Sequence, residues 1–224
     1  MIWYRFTRWY FGVWFRLHFG FQVEGRQNEP APPFVAISNH NSAVDIPLVA
    51  IALRSRVSFM AKQELMRVAA VRAWVRSLGG IFVRRGEPDR TAVRTALGIL
   101  RRGGVLGLFA EGTRSPDGRL RPFEEGAAYW ALRAGIPVLP IAIIGSHRTL
   151  PQGAKWPRRS PVLVRIGPPI SVPKVEGRLK RETIMEWTRR FEQAVAALLP
   201  PDQQPLPPRI SEQVPAPPAP AGSP

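Results

Sequence analysis

The sequence predicts an α/β protein with a mixed, largely parallel sheet layered by helices, and three observations carry that prediction. Short, almost wholly apolar runs recur through the middle of the chain, as buried strands do when helices cover both faces of a sheet. Stretches with helical periodicity stand between most of them. Both ends differ in composition from the middle, so the alternating pattern belongs to one unit. A chain of 224 residues, 45% of them hydrophobic, suffices for one sizeable core and one domain.

Strands are predicted at Phe34–Ser38, Val57–Ala61, Ile81–Val83, Val105–Phe109, Val138–Ile144 and Val162–Ile166. Helices are predicted over Ala43–Leu53, Glu64–Leu78, Pro88–Arg102 and Glu124–Ala134. The last helix, roughly Arg178–Leu199, sets Ile184, Trp187, Phe191, Val195 and Leu198 on one face, so it packs back on the sheet. Pro137 and Pro140 accompany the fifth strand, and because proline removes a ladder donor they predict an irregular or edge strand.

The opening MIWYRFTRWYFGVWFRLHFGF holds ten aromatic residues in its 21 positions, three arginines and no acid. On a helical wheel Arg5, Arg8, Gly12 and Arg16 form a narrow basic stripe beside an aromatic remainder. A spanning helix needs ~20 mainly apolar residues with few charges, and arginines run through this whole stretch. The segment is therefore expected to be an amphipathic helix lying in a membrane surface, where Trp and Tyr are at home; packing on the protein's own core is the plainer alternative. From Pro200 onward there are ten prolines in 25 residues and little aliphatic surface, which predicts a disordered tail. The expected organisation is an anchor over 1–28, a folded domain over 29–199 and a tail over 200–224.

The formal net charge is +16, carried mostly by arginine, with lysine only at 62, 155, 174 and 180. Such a field attracts something anionic: nucleic acid, an acidic membrane or a phosphorylated substrate. No helix-turn-helix, RNA-binding or zinc signature occurs, and the aromatics cluster in one segment, so no nucleic-acid partner is expected. The absence of cysteine excludes disulfides, thiolate metal sites and a cysteine acyl-enzyme.

Four short stretches carry chemistry. In SNHNSAVD, His40 follows the first strand and Asp45 lies five residues on, where a carboxylate can hold an imidazole and keep it basic; Ser42 and Asp45 also have the spacing of a capping box. GGIFVRRG, Gly79 to Gly86, ends a strand in Arg84 and Arg85, whose planar forks suit phosphate. LFAEGTRSPDGRLRPFEEGAA ends a strand in Glu111, Gly112, Thr113 and Arg114, with glycine for close approach and a second guanidinium. AGIPVLPIAI is the proline-bounded strand, suited to an apolar wall.

Taken in this order over Phe34–Gly145, the four stretches resemble the glycerolipid acyltransferases, specifically the 1-acylglycerol-3-phosphate acyltransferases. The family's N-H-x-x-x-x-D stands at Asn39–Asp45, its G-x-x-F-x-x-R at Gly79–Arg85, its F-x-E-G-T-R-S at Phe109–Ser115 and its V-P-x-x-P at Ile136–Pro140. Ala110 replaces a usual proline. Glu124 and Glu125 stand where relatives commonly have a phosphate-binding lysine, and Arg119, Arg121 or Arg148 are the candidates to replace it. The resemblance implies acyl transfer from acyl-CoA or acyl carrier protein to the sn-2 hydroxyl of lysophosphatidic acid, giving phosphatidic acid, with no metal or cofactor beyond the thioester co-substrate. A related acyltransferase with another lysolipid or polar-lipid acceptor is the nearest alternative, and a non-catalytic protein binding anionic membrane or nucleic acid is a distant one.

On that reading His40 is the general base and Asp45 its orienting partner. No G-x-S-x-G elbow or cysteine is present, which favours direct transfer over an acyl-enzyme. Arg85, Glu111, Gly112, Thr113 and Arg114 are expected to hold the phosphate and glycerol, with Asn39, Gly80, Phe82 and Pro137 in support. Lipid substrates, an anionic acyl donor and the basic charge lead to the expectation of a peripheral or monotopic enzyme on the cytoplasmic face of the cell membrane.

Overall fold

The computed structural model describes residues 2–62, 81–83, 90–151, 153–154 and 156–206. Among these residues seven strands form one sheet: β1 (Gln22–Glu24), β2 (Phe34–Ser38), β3 (Val57–Lys62), β4 (Ile81–Val83), β5 (Val105–Phe109), β6 (Val138–Ile144) and β7 (Leu163–Ile166). Their spatial order is β1-β7-β6-β2-β5-β3-β4. Every pairing is parallel except β6 with β7. The described helices are α1 (Ile2–Phe19), α2 (Asp45–Ala52), α3 (Arg90–Arg101), α4 (Gly126–Ala134), the single turn α5 (Ser146–Thr149) and α6 (Arg181–Ala196). The helix expected over Glu64–Leu78 lies outside the described residues.

Alternate residues of the central strands feed two cores. Phe34, Ala36, Leu139 and Ile141 face α1 and α2 on one side. Val35, Ile37, Val138 and Ala142 face α3, α4 and α6 on the other. This period of two, buried on both faces, is why these strands read as continuous apolar runs. Helix α2 lies between the sheet and α1, and every residue from Pro47 to Ala52 is buried. Its DIPLVAIA sequence is apolar nearly all round, as a helix with two packed faces requires.

Four expectations are corrected. First, β6 is an interior strand, not an edge. Pro140 stands at the end of the antiparallel ladder with β7, one residue before its first pair at Ile141: its carbonyl accepts from the Gly167 N–H at 2.9 Å, and its missing N–H forgoes only the return bond of that terminal pair. Second, residues 1–28 are not a separate unit. Phe15, Phe19 and Phe21 join the core, and β1, too short to stand out in the sequence, adds an edge to the sheet.

Third, the basic stripe of α1 faces inward in part. The Arg8 guanidinium donates to the carbonyls of Leu53 and Arg54, and Arg26 Nε donates to Ala52 at 2.9 Å, so both cations cap the C-terminal end of α2. Among the described side chains of α1, the large apolar residues left exposed are Phe6, Trp9, Tyr10 and Leu17, with Arg16 exposed beside them. Fourth, the chain stays packed past Pro200: Pro201–Gln203 forms a 3₁₀ turn with Gln203 buried. The rest of the proposed disordered tail, 207–224, lies outside the described residues.

Candidate active site

The site is built at the C-terminal edge of the sheet, where β2 gives way to the Asn39–Val44 turn. Parallel strands deliver their following loops to this one edge, so the turn after β2 meets the loop after β5 and the end of β6. His40 Nδ1 lies 2.9 Å from Asp45 Oδ2, with the Asp45 side chain wholly buried and that of His40 nearly so. The same Asp45 oxygen accepts the Asn41 N–H at 2.6 Å and the Ser42 N–H at 2.8 Å. With two backbone N–H groups already donating to Oδ2, the imidazole meets the same oxygen through an N–H on Nδ1, which leaves the Nε2 lone pair facing away from Asp45. Half of the expected capping box is thereby present: Asp45 accepts from Ser42 N–H, whereas the Ser42 hydroxyl donates to the Leu150 carbonyl at 2.9 Å.

The backbone of the turn is tied down on both sides. Asn39 Nδ2 donates to the Ile143 carbonyl at 2.9 Å and Asn39 Oδ1 accepts the Ile143 N–H at 2.7 Å, so the buried amide mimics a strand neighbour of β6. His40 N–H donates to Glu111 Oε1 at 2.9 Å, and the His40 carbonyl accepts the Ser115 N–H at 2.7 Å. The imidazole ring stacks on Phe109 at a centroid distance of 4.1 Å, and Phe109 stacks on Phe59. Gly107 makes this stack possible. It stands opposite Phe59 in the β3–β5 register, and a Cβ there would lie 2.7 Å from the Phe59 ring.

Glu111 is buried, with Oε2 unpartnered. Burial, reinforced by nearby Asp45, pushes its carboxyl from an ordinary 4.5 up to about 8 against the opposing pull of the His40 and Arg121 amides. At neutral pH it is therefore a neutral acceptor. Gly112 follows at φ +70°, in the left-handed region, and a Cβ there would meet Glu124 Cγ at 2.9 Å, so glycine is required on both counts. Thr113 and Arg114 are exposed, and Ser115 turns back inward with its hydroxyl on Asp117 at 2.9 Å.

The structure thus brings together His40, Asp45, Asn39, Glu111, Gly112, Thr113 and Arg114. Pro137 is not among them. It enters β6 at the opposite edge of the sheet, six residues before Ile143 or ~20 Å at strand rise, where its carbonyl accepts the Val35 N–H. Gly80 and Arg85 lie outside the described residues, and Phe82 is placed only by its backbone, opposite Ala61 on edge strand β4. Glu124 covers Gly112, and Glu125 meets Arg181 at 3.3 Å, so neither replaces the missing lysine's charge. Sequence reasoning gave no part to Phe109, Asn41, Ser115 or Ile143. Phe109 and Ser115 stand inside the F-x-E-G-T-R-S block, which was the available signal; Ile143 acts through its backbone and left none.

The other two histidines lack this setting. His18 leans on Trp14 in α1, and His147 packs against Gly118, its pKa lowered by burial and by Arg148.

A family model described as Acyltransferase matches residues 20–144. The chain is 33% identical over 138 residues to a chloroplastic 1-acyl-sn-glycerol-3-phosphate acyltransferase of Brassica napus, covering 59% of this chain and 40% of that protein. It is 33% identical over 134 residues to the human 1-acyl-sn-glycerol-3-phosphate acyltransferase beta, covering 57% of this chain and 48% of that one. The chain therefore spans less than half the length of these curated relatives. Among solved structures, the 1-acyl-sn-glycerophosphate acyltransferase PlsC of Thermotoga maritima superposes with a TM-score of 0.66 at 30% identity, covering 80% of this chain and 70% of that one.

Proposed function

We propose that this chain, which belongs to the acyltransferase family, moves a fatty acyl group from a thioester to the sn-2 hydroxyl of lysophosphatidic acid, giving phosphatidic acid. One observation carries the reading: the His40–Asp45 pair at 2.9 Å, its carboxylate held by two further amides and its ring stacked on Phe109. This is the inner half of a serine-hydrolase triad, with the lipid's own hydroxyl in the serine's place. Nε2 of His40 takes the hydroxyl proton as the oxygen attacks the thioester carbonyl. The tetrahedral intermediate then expels the thiolate, and the imidazolium returns the proton to it. Coenzyme A and acyl carrier protein both supply such a leaving group.

Arg114, in the loop whose next residue is bonded to the His40 carbonyl, is set to grip the acceptor phosphate, with Arg85 as the second cation suggested by the sequence. Glu111 acts through the His40 backbone. The names of the relatives support this acceptor. Both lipids reside in a bilayer, and no helix among the described residues is long and apolar enough to cross one. Exposed Phe6, Trp9, Tyr10 and Leu17 on α1 fit the enzyme to lie on an anionic leaflet of the cytoplasmic face.

Mass spectrometry of products from mixed acyl donors, with lysophosphatidate and rival lysolipids as acceptors, tests the reading. Phosphatidate is expected as the main product, lost in His40→Ala; near-normal turnover by that variant would refute the assignment. Replacing Phe6, Trp9 and Leu17 together by serine is expected to release the protein from phosphatidylglycerol vesicles, and unchanged binding would end the surface role of α1.

A further inference from the structure

We propose that Gln203 is a positioning residue for the acceptor side of the active site, tying the loop after β5 to the exit of β6 from a short C-terminal strap. What the loop does rests on the acyl-transfer reading; the tie itself is a matter of geometry. The strap, residues 200–204, leaves the end of α6, makes its 3₁₀ turn and reaches the sheet edge that carries His40. Gln203 is only 2% exposed, although it belongs to the most proline-rich part of the chain. Its own N–H closes the turn on the Pro200 carbonyl at 3.0 Å. Its backbone carbonyl accepts the Leu120 N–H at 2.9 Å, and its side-chain Oε1 accepts the Gly145 N–H at 3.1 Å.

These two amides belong to opposite walls of the site. Leu120 ends the excursion that starts at Phe109 and carries Glu111, Thr113 and Arg114. Gly145 stands two residues past Ile143, the backbone partner of Asn39. One residue therefore links the two walls, its buried side chain fixed to the wall that locates the base and its backbone carbonyl to the wall that presents Arg114, so removing the side chain cuts the link at Gly145 and leaves the strap on the loop. The flanking contacts, Arg148 to Asp202 at 3.3 Å and Arg119 to the Gln204 carbonyl at 3.4 Å, are exposed and weak by comparison. The Asn39, Glu111 and Ser115 bonds that fix His40 do not pass through the strap. Loss of Gln203 thus loosens the acceptor side and leaves the base in place.

Three forms of the enzyme test this against the full chain: one ending at Leu206, one ending at Leu199, and full-length Gln203→Ala. The form ending at Leu206 keeps the strap and is expected to match the full chain in turnover and acceptor KM. The Leu199 form and Gln203→Ala are expected to raise the lysophosphatidate KM about tenfold, the worth of a lost buried hydrogen bond, with kcat and the acyl-donor KM within about twofold. In hydrogen–deuterium exchange of the same proteins, segment 144–147, beyond the Ile143 partner of Asn39, is expected to exchange about tenfold faster in both altered forms, and segment 117–123, beyond the Ser115 partner of His40, in the Leu199 form, while 34–41 stays protected. Equal exchange in Gln203→Ala and the full chain, or a fall in kcat at constant acceptor KM, would overturn the proposal. A full chain inert on lysophosphatidate would instead sink the acceptor reading, and the exchange comparison would still decide the tie.

Discussion

The turn that holds His40 and the loop that presents Arg114 lie side by side yet are built in opposite ways. From Ser38 to Asp45 the turn is tied down by a dense set of hydrogen bonds, Asn39 on Ile143, His40 on Glu111 and Ser115, Asn41 and Ser42 on Asp45, with Asn41 Oδ1 and Asp45 Oδ1 the buried oxygens left over. Thr113 and Arg114 stand exposed between a left-handed glycine and a buried serine. The difference teaches a division of labour. The base is preorganised, so its geometry needs no adjustment at the moment of reaction, whereas the cation that meets a lipid headgroup sits where the headgroup can reach it. Substitutions in the turn should therefore act on kcat, and those in the loop on acceptor KM.

Ranked by their effect on turnover at neutral pH, the largest change is expected from the turn. His40→Ala should lower kcat about 100- to 10,000-fold with acceptor KM little changed, measured by labelled-acyl transfer. Asp45→Asn should approach the same loss, because an amide oxygen in the place of Oδ2 carries no charge to stabilise an imidazolium, and the amide NH2 is left buried at the Oδ1 position, which has no partner. A KM effect without a kcat effect in either variant would break the division just drawn. Next comes Arg114→Ala, expected to raise the lysophosphatidate KM roughly 10- to 100-fold, the worth of a charge-assisted hydrogen bond, while kcat holds. Weaker discrimination between lysophosphatidate and its dephosphorylated analogue should accompany it; undiminished discrimination would remove Arg114 from the phosphate site.

How much of this was legible in the sequence follows from what each part depends on. The central strands and the chemistry-bearing side chains show in residue type and spacing, since a doubly buried strand must be apolar throughout and a dyad needs its two groups within one turn. Three features were hidden because they depend on partners distant in sequence. Arg8 reads as a solvated cation until α2 brings its C-terminal carbonyls within reach. Pro140 reads as an edge marker until the register shows that its missing donor forgoes only the terminal bond of the β7 ladder. Gln203 reads as tail until Leu120 and Gly145 supply its partners. Composition reports what a segment costs to order, not what a long-range bond returns.

The smallest effect on turnover and the most informative effect on stability belong to Glu111, which joins the two regions through its bond to the His40 N–H. Burial raises its carboxyl to about 8 in the folded protein from an ordinary 4.5. Below about pH 4.5 the group is protonated in both states and adds no pH dependence. Between there and pH 8 the unfolded chain releases a proton that the folded chain keeps, so stability falls as pH rises, by up to about 1.4 kcal/mol per pH unit. Above 8 the folded group ionises too, and the loss levels off. Glu111→Gln keeps an Oε1 acceptor for the His40 amide and removes the titration. Its turnover at pH 7 is expected within about tenfold of the parent, the worth of one hydrogen bond. Its melting temperature should gain steadily on the parent between pH 5 and pH 8. A constant gap across that range would mean that Glu111 is ionised in the fold, and the neutral spacer between base and loop would have to be replaced by a second buried charge beside Asp45.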